Sequence, residues 1–293
     1  MSLKIIVLAK QVPDTRNVGP DAMTPEGTVN RAALPAVFNP EDLNALEQAL
    51  RLKDANPGST ITMITMGLPK AAEVLKEGIF RGADEGILVS DRPLGGADTL
   101  ATSYTLAQAI KKVGGYDIIL CGRQAIDGDT AQVGPQVAEK LGLTQITYTE
   151  EIISLDKEAG KIVAKRHIDG GVETVEGPLP LVVTVNGSAA PCRPRNAKLV
   201  MKYKNATVAA ERTAEQAAAF EALAGRKPYL DITQWGAADI NCDPQQIGKA
   251  GSPTNVKAVK NIVFKAKESR TLTAADEEID QLVKELIAEK IIG

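Results

Sequence analysis

Apolar and polar positions alternate in blocks along the first half of the chain. Short apolar runs typical of strands buried on both faces occur at residues 4–9, 60–66, 86–90 and 116–121. Longer segments with helical spacing lie between them, at residues 39–55, 69–82, 98–112 and 130–141. This alternation predicts an α/β fold, with a doubly wound, mostly parallel, Rossmann-like sheet and right-handed crossovers.

The carboxyl ends of the predicted strands mark the place where a ligand is expected. In open α/β sheets, ligands bind in the crevice beyond these ends, at the start of the following helices. Asn39 and Pro40 have the pattern of an N-cap followed by proline at the first helical position. The pocket should therefore collect Ala9, Asn39, Met66 and residues 98–102 and 123–134.

The most informative segment is the turn at residues 121–135, CGRQAIDGDTAQVGP, which follows one predicted strand and opens a helix at about residue 130. Such a turn presents backbone N–H groups and the positive end of a helix dipole to a phosphate. Arg123 adds a full charge, while Asp127, Asp129, Thr130 and Gln132 offer groups that suit ribose hydroxyls. The pattern is neither a Walker loop nor GxGxxG, and we predict a nucleotide-binding turn.

Simpler interpretations stay open for several of these residues. Asp127 and Asp129 also suit turn and cap positions, and two carboxylates beside a pyrophosphate would repel it, so one should face away. Asp98 and Thr99 suit a helix cap, and their contact with a ligand is left open. Cys121 is expected to be a small buried residue rather than a nucleophile.

The pattern changes after residue 145. Runs at residues 148–155, 161–168, 172–175 and 181–185 predict an antiparallel excursion at the sheet edge, joined by tight turns. Periodicity is weak from Asn186 onwards, which favours an arm lying on another subunit. A final amphipathic helix, capped by Thr273, has an apolar stripe formed by Ile279, Leu282, Val283, Leu286, Ile287 and Ile291.

These observations divide the chain into two predicted parts. Residues 1–205 form the nucleotide-binding domain, with the β excursion at 146–185 and a partner loop at 186–206. Residues 207–293 form the C-terminal arm and its helix.

Composition narrows the class of protein. The 293 residues are 44% apolar with a net charge of −3, which argues against nucleic acid as a partner. No apolar run is long enough to span a bilayer, and no signal peptide is evident, so we expect no membrane insertion. The three cysteines lack the spacing of a metal site, and so few cysteines suit a cytoplasmic protein. His167 is the single histidine, which argues against histidine-based catalysis; we expect no side-chain acid–base chemistry.

Three segments carry a resemblance to a known family. They are Lys10-Gln11-Val12-Pro13-Asp14, Asn39-Pro40, and Gly122-Arg123-Gln124-Ala125-Ile126-Asp127 through Gly134. A fourth, residues 164–184, agrees with the family signature. In their order and spacing they resemble the β subunit of electron transfer flavoproteins over nearly the whole chain.

The resemblance implies a heterodimer with an α subunit that carries a flavin. In conventional members the β-subunit site holds structural AMP, and electrons pass between an acyl-CoA dehydrogenase and a quinone reductase. In electron-bifurcating members the site holds FAD, which accepts hydride from NADH. One electron then goes to ferredoxin or flavodoxin and the other towards an acyl-CoA dehydrogenase.

Two stretches resemble the bifurcating group, residues 127–130 and 95–102. The second places Asp98, Thr99 and Thr102 at a helix start, where a flavin needs donors beyond its pyrophosphate. The predicted cofactor-binding residues are Leu8, Ala9, Asn39, Pro40, Asp42, Met66, Asp98, Thr99, Thr102, Cys121, Gly122, Arg123, Gln124, Asp127, Gly128, Asp129, Thr130, Ala131, Gln132, Val133 and Gly134.

In the family, the segment that matches residues 186–206 recognises acyl-CoA dehydrogenases. Here it is shorter, and Leu199 or Met201 would serve as its apolar anchor. Lys198, Lys202 and Lys204 suit either a solvated face or contact with an acidic patch of a partner. A different class, a nucleotide-binding regulatory protein of the adenine-nucleotide α-hydrolase-like type, shares the fold. The β excursion and the C-terminal arm argue against that class.

Overall fold

A computed structural model describes residues 2–14, 35–254, 271–289 and 291–292. Its main sheet has nine strands in the order β11-β5-β4-β1-β6-β10-β7-β8-β9. The strands of the main sheet are β1 Lys4–Leu8, β4 Thr60–Met66, β5 Glu85–Val89, β6 Ile118–Gly122, β7 Thr144–Asp156, β8 Lys161–Ile168, β9 Gly171–Pro178, β10 Leu181–Val185 and β11 Thr233–Trp235. A separate antiparallel pair joins β2 Gln11–Pro13 to β3 Ala36–Phe38.

Helices cover both faces of the parallel part of this sheet, as the sequence predicts. The helices are α1 Pro40–Ala55, α2 Ala72–Ile79, α3 Thr99–Val113, α4 Val133–Leu141, α5 Ala197–Tyr203, α6 Ala214–Ala224 and α7 Asp276–Ala288. Alternate residues of β1 enter different cores: Ile5 and Val7 pack with α1 and α2, while Ile6 and Leu8 pack with α3 and α4. The predicted doubly wound α/β class is therefore confirmed.

The helix after the β6 turn begins later than predicted. The expected start was residue 130, whereas α4 begins at Val133 with Gln132 as its N-cap. Asp129 and Ala131 have positive φ angles of 48° and 52°, which are incompatible with a right-handed helix. The turn is thus longer, and more of its backbone stays outside the helix.

The last strand of the predicted antiparallel excursion, β10, lies in the parallel part of the main sheet. β10 pairs in parallel with β6 on one side and with β7 on the other, so the prediction of an antiparallel partner was wrong for residues 181–185. All five residues of β10 are buried, which is typical of an interior parallel strand. Among the described strands of the main sheet, β7–β8 and β8–β9 are the pairs that run antiparallel.

The described part of the predicted arm up to Thr254 packs in part against this chain, and its docking on another subunit stays a prediction. β11 extends the sheet edge in parallel with β5, and Val208, Phe220 and Leu230 are buried in the core. The segment lacks long periodic runs because its apolar residues come singly from short elements.

The C-terminal helix α7 begins at Asp276 with Ala275 as its N-cap, so the predicted cap at Thr273 was wrong. The Thr273 backbone N–H and hydroxyl both donate to the Glu278 carboxylate instead. None of the residues of α7 is buried, and Ile279 and Ile287 are 47% and 53% exposed. Within the described ranges, no helix is long and apolar enough to cross a membrane.

Candidate functional site: the strand-end turn

Asp42 joins two strand ends beneath the predicted site. Its Oδ2 accepts the Lys10 N–H at 2.8 Å after β1, and its Oδ1 accepts the Gly122 N–H at 2.8 Å at the end of β6. Burial raises the pKa of Asp42 to about 7, although these two hydrogen bonds oppose the rise. The structure thus places Asp42 between the ends of β1 and β6, fixed by the first turn of α1.

Asn39 and Glu41 hold the turn from the same helix start. Asn39 lies at the N-cap position as predicted, but its side chain caps nothing in α1. Its Nδ2 donates to the Gln124 carbonyl at 2.9 Å, and its Oδ1 accepts the Ile126 N–H at 3.2 Å. Glu41 Oε2 accepts the Gln124 N–H at 2.8 Å. The first part of the turn is therefore fixed by side chains that are themselves largely buried.

Two glycines allow these elements to come close. A Cβ on Gly122 would lie 2.5 Å from Asp42 Oδ1 and 2.8 Å from the Glu41 backbone carbonyl carbon. A Cβ on Gly134 would lie 2.7 Å from Thr184 Cγ2 and 2.9 Å from Cys121 Sγ. Neither approach leaves space for a side chain, so both positions require glycine for packing. Gly128 is different, because nothing lies within 4 Å of its added Cβ.

The second part of the turn carries a row of unused backbone donors. Among the described residues, no acceptor faces the N–H groups of Thr130, Ala131, Gln132, Val133 and Gly134. The positive φ angles at Asp129 and Ala131 turn the chain so that it curves into the start of α4. Successive N–H groups in such a curve, beside a helix N-terminus, form an anion-binding concavity. This donor set fits a phosphate or pyrophosphate group.

Arg123 is already paired with a carboxylate. Its Nη2 lies 3.0 Å from Glu41 Oε1, and its guanidinium carbon lies 5.2 Å from the centre of the Tyr148 ring. Tyr148 has a φ of 57°, a strained conformation for an aromatic residue. The predicted phosphate contact of Arg123 stays a prediction, and it would have to share a guanidinium that Glu41 already neutralises.

The two acidic residues of the turn occupy different environments. Both carboxylate oxygens of Asp127 accept from Lys10 Nζ, at 2.7 and 2.9 Å, and its side chain is 6% exposed. Asp129 is exposed and accepts from Gln124 Nε2 at 2.9 Å. The ion pair with Lys10 neutralises the carboxylate nearest the strand end, which reduces its repulsion of a bound phosphate.

The start of α3 forms a second wall of the site. Thr99 Oγ1 donates to Gln132 Oε1 at 2.7 Å, so the predicted turn and the predicted helix start are in contact. Asp98 caps α3 by accepting the Leu100 and Ala101 N–H groups at 2.9 and 3.1 Å. Its other oxygen accepts the Thr254 N–H and hydroxyl at 3.1 and 2.7 Å. Asp98 is thus a structural cap and also ties the C-terminal segment to this edge.

The remaining predicted residues lie around this edge. Leu8 and Ala9 are buried at the end of β1, Met66 is half-buried at the end of β4, and Cys121 is buried in β6 with its pKa raised by burial. Pro40 opens α1, and Thr102 lies half-buried in the first turn of α3. No group of acidic, cysteine or histidine side chains suited to a metal occurs in the described ranges.

Sequence reasoning missed four contributors, namely Lys10, Glu41, Tyr148 and Thr254. Lys10 and Glu41 stand in segments that the sequence does single out, but their partners are at least 80 residues away. The positive φ of Tyr148 and the return of Thr254 to Asp98 leave no pattern in the chain. Charged residues next to strand ends and helix starts were the available signal.

Comparison with known families decides which kind of α/β protein this is. A model of the electron transfer flavoprotein domain matches residues 26–222, more than half of the chain. The chain belongs to the electron transfer flavoprotein family. Its similarity is to the β subunits of that family, as the resemblance in the sequence implied.

Three relatives illustrate this membership. The electron transfer flavoprotein subunit beta of Megasphaera elsdenii is 40% identical over 99% of this chain and all of its own length. The caffeyl-CoA reductase-Etf complex subunit CarD of Acetobacterium woodii is 42% identical over 87% of this chain and 86% of its own. The acryloyl-CoA reductase electron transfer subunit gamma of Anaerotignum propionicum is 49% identical over 62% of this chain and 67% of its own.

Proposed function

We propose that this electron transfer flavoprotein chain binds FAD at the strand-end turn and, with an α subunit, takes electrons from NADH. One electron would pass to ferredoxin or flavodoxin and the other to an acyl-CoA dehydrogenase. The names of two relatives support a CoA-ester enzyme as one electron acceptor, since they belong to a caffeyl-CoA reductase complex and an acryloyl-CoA reductase. The FAD supplies the redox chemistry when bound.

The observation that carries the proposal is the contact between Thr99 and Gln132. Because of this contact, the row of N–H donors at the start of α4 and the hydroxyl-bearing start of α3 line one continuous edge. A mononucleotide needs only the phosphate donors, whereas a dinucleotide with a ring system extends further along such an edge. The two walls therefore favour FAD.

The chain's own residues would bind and orient the cofactor. Residues 130–134 would hold the pyrophosphate through backbone N–H groups and the α4 dipole. Asp129 and Thr130 are exposed beside these donors and suit ribose hydroxyls. Thr102 would donate to the flavin end, while the Thr99 hydroxyl, which donates to Gln132, would accept from it. Asn39, Glu41 and Asp42 would keep the turn in the binding geometry without touching the ligand.

A conventional flavoprotein with structural AMP is the second candidate, and one observation favours it. The Asp98 carboxylate accepts four hydrogen bonds from the protein, and the Thr99 hydroxyl donates to Gln132. Groups that are already satisfied have less reason to meet a flavin. In that case the α3 start would be only a helix cap.

The exposed apolar face of α7 supports association with an α subunit. Large apolar side chains on a helix without a buried face indicate a surface that another chain covers. Met201, 66% exposed on α5, is the better candidate for the apolar anchor towards a dehydrogenase, because Leu199 is only half-exposed. Cytoplasmic location is part of the same proposal.

The double variant Thr99→Val with Thr102→Val tests the FAD assignment. Prepared in complex with the α subunit, it should lose flavin from this chain and keep the flavin of the α subunit. Thr174→Val, on the exposed strand β9, is the matched control and should keep both flavins. Unchanged flavin content in the double variant would count against the proposed pocket.

A further inference from the structure

Helix α1 carries a stripe of polar side chains that contacts the turn after β6 at one end and the segment after β10 at the other. Glu41, Asn44 and Glu47 are three residues apart, and Gln48 lies four residues after Asn44, so the four residues share one side of the helix. Glu41 accepts hydrogen bonds from Gln124 and Arg123 in the turn after β6. Asn44 Nδ2 donates to the Ala189 and Ala190 carbonyls at 2.8 and 2.9 Å. The stripe thus runs from the nucleotide turn to the segment that leaves β10.

Glu47 makes the strongest contact of this stripe. Its Oε2 accepts the Arg193 backbone N–H and Nε, both at 3.0 Å, and its Oε1 accepts Arg193 Nη2 at 3.0 Å. Glu47 is only 5% exposed. Burial alone would raise the pKa of Glu47, but the hydrogen bonds from Arg193 outweigh burial and lower it. Arg193 Nη1 also reaches Asp54 at 2.7 Å.

This contact lies just before helix α5, which is also held by the Asn196 N–H bond to the Phe80 carbonyl at 2.7 Å and by packing of Tyr203 against the core. Asn196 caps α5 through the Lys198 and Leu199 N–H groups, and no residue of α5 is buried. A cavity of about 660 Å³ lies between α5 and the ends of α1 and α2, lined among others by Leu50, Arg81 and Tyr203. Because a cavity lies beneath much of α5, the ion pair that fixes the chain at Arg193 contributes to the position of α5 together with the contacts of Asn196 and Tyr203.

We propose that Glu47 and Arg193 are positioning residues that hold α5, and with it Met201, in place for contact with an electron-transfer partner. The proposal rests on the proposed function in that α5 belongs to the partner-facing segment. A guanidinium that forms two parallel bonds to one carboxylate fixes direction as well as distance, which a lysine cannot reproduce. The backbone bond to the same carboxylate fixes the main chain.

The test uses Arg193→Gln and Arg193→Lys in the complete complex with the α subunit. Hydrogen–deuterium exchange at residues 193–203 should rise by about tenfold in Arg193→Gln, because a buried carboxylate loses its partner. Arg193→Lys should recover part of the protection. Arg51→Gln is the matched control, since Arg51 also bonds Glu47, at 3.3 Å, but does not contact the segment.

The functional readout is electron transfer to an acyl-CoA dehydrogenase that the wild-type complex reduces. Arg193→Gln should raise the KM for that dehydrogenase by about tenfold, leave kcat within about twofold, and leave nucleotide content unchanged. Wild-type exchange at residues 193–203, or raised exchange with an unchanged KM, would overturn the proposal.

Met201→Asp separates this proposal from the proposed function. An unchanged KM for the dehydrogenase in Met201→Asp would mean that α5 does not meet that partner, which contradicts the assignment of α5 as the dehydrogenase contact. Arg193→Gln with a wild-type KM beside an impaired Met201→Asp would overturn the positioning role alone.

Discussion

The turn after β6 and the C-terminal helix α7 differ in what they leave unsatisfied. The Asn39 and Glu41 side chains fix the first part of the turn, and no acceptor in the described chain faces the backbone N–H groups of residues 130–134. Helix α7 makes its own backbone hydrogen bonds but leaves its apolar side chains exposed. The turn is therefore suited to binding an anion, whereas α7 is suited to packing against an apolar surface.

The turn and helix α7 therefore depend in different ways on what they bind. A site that is rigid before binding spends little free energy on ordering, and the ligand mainly adds its own contacts. A helix without a buried face gains its stability from the surface on which it packs. We therefore expect changes in the turn to affect this chain and its nucleotide, and changes in α7 to affect assembly alone.

Removal of residues 273–293 should have the largest effect on assembly. We expect the affinity for the α subunit to fall by about a hundredfold or more, since the exposed stripe is lost. The thermal midpoint of the isolated chain should stay unchanged, because no residue of α7 is buried in it. Sedimentation velocity of the mixed subunits measures association. Normal assembly of the truncated chain would contradict the role of α7.

Gly122→Ala should be the most damaging single change in the turn. Its Cβ would meet Asp42 Oδ1 at 2.5 Å and the backbone of residues 41–42, which cannot move without shifting α1. We expect a loss of about 2–4 kcal/mol in the free energy of unfolding, together with loss of nucleotide. Gly128→Ala is the control, with no atom within 4 Å, and should behave as wild type in urea unfolding. Equal stability of the two variants would refute the close packing.

Ionisation of Asp42 should change the free energy of unfolding by a smaller amount, which depends on pH. Its folded pKa of about 7 lies above the ordinary value of 3.8, so the folded chain binds more protons between these values. The stability contribution of Asp42 is present below pH 4 and is lost as the pH rises through 7. Asp42→Asn should flatten the stability profile across that window in urea titrations. A profile identical to wild type would mean that Asp42 stays ionised.

The sequence was sufficient for the parallel half of the fold because each strand and helix there carries its own pattern. The strand predicted at residues 60–66 and the cap at Asp98 are confirmed. The place of β10 was missed because a buried strand has no signal for the direction of its neighbours. The residues of β11 and α6 were missed because their burial depends on distant contacts.

For the candidate site, too, the sequence predicted the local features but not the tertiary contacts. Local sequence located the turn and the helix starts that surround it, since glycine, proline and capping residues act within a few positions. It could not show that Glu41 pairs with Arg123, or that Lys10 pairs with Asp127, because tertiary folding creates these pairs. Nor does the sequence indicate the positive φ angles at Asp129 and Ala131, because of which α4 begins only at Val133.

The most direct test of the central claim is the nucleotide content of this chain co-expressed with its α subunit. Acid release followed by chromatography identifies and counts the bound nucleotides. We expect two FAD and no AMP per heterodimer, with one FAD held at residues 130–134 and the start of α3. One FAD and one AMP per heterodimer would contradict this expectation and would leave Asp98 and Thr99 as a helix cap.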